Sequence, residues 1–143
     1  MAVLELVDGR RETPLESWSA WAFASWDVPA PEWQVDILDD AGVFLGRADT
    51  WWADGVVGEA DGRAKYALAA AERGGVTAGS LADVLHGERR REQAMRTAGA
   101  DVVRWEARDV LVPDRADELA RHLMNALTQA RRFSRFCGRA IAR

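Results

Sequence analysis

Cysteine is almost missing from this chain: Cys137 is the only one in 143 residues, which excludes an internal disulfide framework and any cysteine-based zinc cage. Neither His86 nor His122 is close to it in sequence, so it does not read as a catalytic thiol. Lysine is as scarce, with Lys65 alone beside eighteen arginines. No apolar run approaches the roughly 20 residues that a membrane helix needs. The opening MAVLELVDGRRE lacks a basic n-region and a long apolar core, so no secretory signal and a cytoplasmic location are expected. No internal repeat or low-complexity segment is evident. With 48% apolar residues, the length suits one domain with one sizeable core.

The net charge of −4 argues against a generally basic nucleic-acid binder, but it hides an asymmetry. Residues 1–61 carry thirteen acidic and three basic side chains, and residues 62–143 carry ten acidic and sixteen basic ones, so the halves are −10 and +6. A carboxylate cluster followed by arginine-rich surfaces suits an enzyme that holds a metal and neutralises backbone phosphates. The candidates for the phosphates are Arg89, Arg90 and Arg91, then Arg131, Arg132, Arg135, Arg139 and Arg143 near the C-terminal end. The alternative is a solvated helix face followed by a frayed basic tail over 129–143.

Asp49, Glu59, Asp61 and the single lysine fall between residues 46 and 66, in GRADTWWADGVVGEADGRAKY, with Asp54 in the turn among them. In a strand over Val56 and Val57 the period of two sends Val57, Glu59 and Asp61 to one face, while Gly58 and Ala60 take the other. Ala53-Asp54-Gly55 is a turn signal, and antiparallel pairing across it would bring Asp49 to Glu59. A magnesium ion takes oxygen ligands and usually only one or two from the protein. Asp49, Glu59 and Asp61 are the candidate ligands, and Mg2+ or Mn2+ the expected cofactor.

The rest of the chain reads as one mixed α/β unit. A helix is expected from Thr13 to Trp26, with Thr13 as cap and Leu15, Trp18, Ala22 and Trp26 on its buried face. Glu16, three residues after Thr13, is placed as a capping-box partner. Val28-Pro29-Ala30-Pro31 is a connector. Trp33, Val35 and Ile37 alternate with Gln34, Asp36 and Leu38 along a strand, and Val43 to Asp49 forms the next. Helices are expected over about 63–72 and from Leu81 to Ala98, the second ending at Gly99. Val102 to Trp105 is a fourth strand, and a last helix begins near Pro113 with Leu119, Leu123, Ala126, Leu127 and Ala130 inward. Trp18, Trp26, Trp33 and Trp105 read as core.

Pro14-Leu15-Glu16, Gln34, Arg47-Ala48-Asp49, Glu59-Ala60-Asp61-Gly62, Arg90-Arg91-Glu92, Gly99 and Val102-Val103-Arg104-Trp105 follow one another in an order that resembles the PD-(D/E)xK, or restriction-endonuclease-like, superfamily. The branch resembled is akin to very-short-patch-repair endonucleases and to the C-terminal halves of antitoxin-like or regulator-like proteins. The resemblance covers about residues 12–128. It implies a mixed four-stranded sheet flanked by helices, in the order αβββαβ with a C-terminal helix. It also implies a metal-dependent nuclease acting on DNA, with Asp49 and Glu59 on the ion, and a metal-holding role for Glu16. Gln34 would then bond the water or phosphate. The pattern ends E-x-K, however, and here Asp61 stands in the lysine position. Asp61 would then be a further carboxylate, and Lys65, four residues on, would have to return an ammonium to the same place. One of Trp51 and Trp52 could stack on a base, the alternative being sheet packing. The rival expectation is a catalytically impaired module that binds nucleic acid or a partner, attached in a longer parent chain to an N-terminal helix-turn-helix domain.

Overall fold

Thr13 and Pro14 open the first helix, α1 (Pro14–Ser25): the threonine hydroxyl accepts the amide hydrogen of Glu16 at 3.2 Å, and proline takes the first turn, where its missing N–H costs nothing. The computed structural model describes residues 13–62, 74, 78–133 and 135–142. The chain continues through β1 (Glu32–Asp39), β2 (Phe44–Trp52), β3 (Val56–Ala60), α2 (Ala78–Thr97), β4 (Asp101–Trp105), α3 (Ala107–Leu111), α4 (Pro113–Phe133) and β5 (Gly138–Ala142). The helix expected over 63–72 lies outside the described residues, and so does Lys65. No helix among the described residues is long and apolar enough to cross a membrane.

The expected α/β class and the αβββαβ order are present. β1, β2 and β3 form an antiparallel meander, and β4 returns parallel to β3 after α2, as a helical crossover between parallel strands requires. Among the described residues the sheet has five strands rather than four, in the order β4-β3-β2-β1-β5. The fifth comes from the stretch expected to be a basic tail. α4 runs on to Phe133, and Gly138–Ala142 then pairs antiparallel with β1, Val35 facing Ala142 and Asp39 facing Gly138.

Helices cover both faces. One cluster joins Leu15, Ala22 and Phe23 of α1 to Trp52, Val56, Val103 and Trp105 of the sheet and to Leu119, Leu123 and Leu127 of α4. The other joins Val35, Ile37, Trp51, Val57 and Val102 to Met95 of α2, with Phe136 packed against it. Because both faces are covered, the central strands are buried on each side, which blurs the alternation of apolar and polar residues.

Two packing expectations are corrected. Trp18 is 48% exposed, because α1 turns its small residues Ser19, Ala20 and Ala22 inward. That face admits the Trp105 indole, whose N–H donates to the Ser19 hydroxyl at 2.7 Å, and Phe23 meets the Trp105 ring edge-on at 5.2 Å. Trp33 and Val35 do not share a face either: Trp33 belongs to the α1 cluster and Val35 to the α2 cluster. Between them Gln34 has φ +54°, a left-handed conformation that turns the strand over by one residue.

Candidate functional site

The turn at Asp54-Gly55 sets the register of β2 and β3. Trp52 faces Val56, Trp51 faces Val57 and Thr50 faces Gly58, so the next positions along, Asp49 and Glu59, stand opposite each other as the sequence led us to expect. Asp49 Oδ2 accepts the amide hydrogen of Ala60 at 2.9 Å. Glu59 is only 7% exposed. Its carboxyl is pushed up to about 7, first by burial and second by the Asp49 charge, with Arg91 and Arg104 pulling the other way. A buried carboxyl whose charge is disfavoured by a second carboxylate is a candidate for functional chemistry, although structural ion-pair networks shift such groups too.

Arg91 of α2 closes over Glu59. Its Nη1 donates to Glu59 Oε1 at 3.2 Å and its Nη2 to Glu59 Oε2 at 3.0 Å, a two-pronged clasp. Nη2 also donates to Glu88 Oε2 at 2.7 Å, and Nη1 to the Arg47 carbonyl. Burial works to lower the pKa of the guanidinium, but Glu59 and Glu88 more than offset it and raise the value. The partners therefore respond differently. Arg91 has two carboxylates to gain from, whereas for Glu59 the Arg91 clasp and the Arg104 charge together do not offset its burial and Asp49.

Gly46 makes room for the clasp. A Cβ there would stand 2.5 Å from Cγ and Cδ of Arg91, so the arginine stem crosses β2 only because this position carries no side chain.

Glu16 and Gln34 form the adjoining polar layer. Glu16 is buried on α1, where its Oε1 accepts the Thr13 hydroxyl at 3.1 Å and its Oε2 accepts Gln34 Nε2 at 3.2 Å. Thr13 caps the helix, the Glu16 carboxylate meets the Thr13 hydroxyl rather than its backbone amide, and contact with a second candidate residue is present. Trp33 pairs with Thr50 and Val35 with Ala48, which puts Gln34 across β2 from Asp49. A non-glycine residue in left-handed backbone costs of order 1–3 kcal/mol and persists where its surroundings hold it, commonly at functional sites.

The other candidates are placed as follows. Asp61 lies just past β3, its amide hydrogen bonded to the Trp105 carbonyl at 2.7 Å. Among the described residues no three His, Cys, Asp or Glu side chains form a group that could hold a metal, so Asp61 does not complete the expected trio with Asp49 and Glu59. The acidic site is a pair with a clasp. Arg89 and Arg90 are exposed on α2, as a phosphate-contacting role needs, whereas Arg91 points inward and is corrected from that role. Trp51 and Trp52 are buried on opposite faces of the sheet. The first packs on Phe136 at 4.8 Å between ring centroids, and the second donates its indole N–H to the Pro29 carbonyl at 2.7 Å. Neither ring is open to a base, so sheet packing is their role.

The C-terminal arginines are engaged in the fold. Arg131 pairs with Asp54 at 2.7 Å, Arg132 and Arg135 lie over the Phe133 ring, and Arg139 is part of β5. Arg143 is outside the described residues. Sequence reading missed the clasp itself. Gly46, three residues before Asp49, was its one visible signal.

No family model, no curated protein and no solved structure matches the chain. What the site can do therefore rests on its own chemistry. Two carboxylates facing each other across neighbouring strands, one of them buried, suit a divalent cation that draws one or two oxygens from protein and the rest from water or a substrate phosphate. Arg91 now holds the oxygens that such an ion would need.

Proposed function

We propose that this is a restriction-endonuclease-like domain that hydrolyses phosphodiester bonds in DNA with a divalent cation, Mg2+ or Mn2+, held by Asp49 and Glu59. The observation that carries the reading is the register of β2 and β3, which opposes these two carboxylates within an αβββαβ core. A cation bound there would polarise the scissile phosphate and lower the pKa of a bound water. Asp49 and Glu59 would orient it, with Asp49 fixed by the Ala60 amide. Glu16 and Gln34 form a second polar pair beside them, from which the Gln34 amide could align water or a phosphate oxygen. Arg89 and Arg90 would neutralise DNA phosphates from the exposed face of α2.

Two observations favour a second reading, a module that binds nucleic acid or a partner without cutting. Asp61 stands where the resembled pattern carries its lysine, and Arg91 already neutralises Glu59. One experiment separates them. If the first holds, plasmid DNA with manganese is nicked, and nicking disappears with EDTA and with Asp49→Ala. Calorimetry should also show manganese binding that Asp49→Ala and Glu59→Ala abolish. Intact DNA together with a salt-dependent mobility shift that Arg89→Ala/Arg90→Ala weakens would establish the binding module. Absence of metal binding in the parent would remove the cation site.

A further inference from the structure

We propose that Arg91 is a built-in competitor for the cation at Asp49 and Glu59: its guanidinium closes the site when no ion is present and must withdraw toward Glu88 before an ion can bind. The inference rests on the reading of Asp49 and Glu59 as a cation site, and it concerns what controls entry. The geometry behind it is specific. Both terminal nitrogens of Arg91 lie on both oxygens of Glu59, leaving that carboxylate no uncovered oxygen toward α2. The stem passes over Gly46, the one position in this part of β2 without a side chain to block it.

The clasp also has somewhere to go. Nη2 is shared between Glu59 on the sheet and Glu88 three residues earlier on the same helix, at 3.0 and 2.7 Å. The Glu59 side chain is 9% exposed and that of Glu88 44%, so a rotation of the arginine side chain would carry the guanidinium from a buried carboxylate to a wetter one, giving up the Arg47 carbonyl but keeping an ionic partner. The resting arrangement is also incompletely satisfied. Nε of Arg91 is buried and finds no acceptor among the described residues.

The test uses the full chain, manganese chloride as the probe, and calorimetry at pH 8.5, so that a Glu59 released from arginine is not simply protonated. Arg91→Met should tighten manganese binding by roughly tenfold or more, because a charge-assisted contact no longer has to be broken. Arg91→Lys is the deciding variant. It keeps the positive charge but offers a single ammonium that cannot clasp both oxygens, so binding should still tighten several-fold. Arg104→Met removes a charge that acts on Glu59 without covering it, and although Arg104 also lies 3.9 Å from Glu88, the gain should be well below that of Arg91→Met.

Equal affinity in the parent and Arg91→Lys, or equal gains in Arg91→Met and Arg104→Met, would show a field effect and overturn the competitor. If Arg91→Met does not fold, judged by its thermal transition without metal, Arg91→Lys decides alone. No heat in the parent or in any variant would remove the cation site, and this inference with it. Binding in the parent that no Arg91 variant improves removes only the competitor.

Discussion

Replacing Glu59 by glutamine should make the domain more stable at pH 8 and leave it nearly unchanged near pH 4.5. The folded carboxyl titrates at about 7 against an ordinary value of 4.5, because burial and then Asp49 disfavour its charge by more than Arg91 and Arg104 favour it. Between these two values the folded state keeps a proton that the unfolded chain has released. Stability from this group is therefore fully present below pH 4.5 and is lost as pH rises to about 7. At 1.36 kcal/mol per unit, a shift of this size corresponds to about 3 kcal/mol.

Glutamine keeps the shape of the neutral acid and cannot ionise, so the variant escapes the loss. The assay is urea unfolding followed by fluorescence of the seven tryptophans, in EDTA, at a series of pH values from 4.5 to 8.5. Taking the difference between variant and parent cancels every other titrating group. Asp49→Asn should shift the parent's window to lower pH, since it removes the second cause of the shift. A variant less stable than the parent by a margin that widens toward pH 8 would refute the reasoning. It would show that the Arg91 clasp outweighs burial and Asp49 together.

Two further substitutions probe the frame that holds the site. Gly58→Ala should cost about 3 kcal/mol in urea unfolding, because its methyl group would lie 2.7 Å from the Trp105 ring and closer still to the Thr50 hydroxyl, in a core with no slack. Ser19→Ala should cost about 2 kcal/mol, since it leaves the buried Trp105 indole N–H without an acceptor; a change below about 0.5 kcal/mol would mean that the bond contributes nothing net.

The meander of β1, β2 and β3 and the meeting of Asp49 with Glu59 were legible in the sequence because they depend on local signals. A turn-forming Ala53-Asp54-Gly55 and the period of two are enough to oppose those residues. The inner face of α1 was harder to read. Tryptophans at 18, 21 and 26 suggest several phases, and the true one is chosen by what the sheet presents: Trp105 needs small residues opposite, so Ser19 and Ala22 turn in and Trp18 turns out. Three consecutive arginines likewise point in three directions, and only the space over Gly46 selects Arg91 for the interior. The face change at Gln34 follows from one backbone angle that no residue pattern encodes. Gly138–Ala142 reads as a tail since its one large apolar residue, Ile141, is exposed, and its partner strand is a hundred residues away.

That distance bears on how the molecule comes to be folded. Val35 and Ile37, fully buried in the finished sheet, sit on a strand whose outer hydrogen bonds are supplied by residues 138–142. Until that segment has left the ribosome, β1 is an apolar strand with a bare edge, able to pair with any other chain that offers one. Closing a loop of this length is slow compared with making the β1–β2–β3 hairpins. The domain should thus pass through a stage in which its acidic pair is already opposed while its border is still adhesive. A chain cut short before residue 138 would be held at that stage, where aggregation rather than simple unfolding is its characteristic failure.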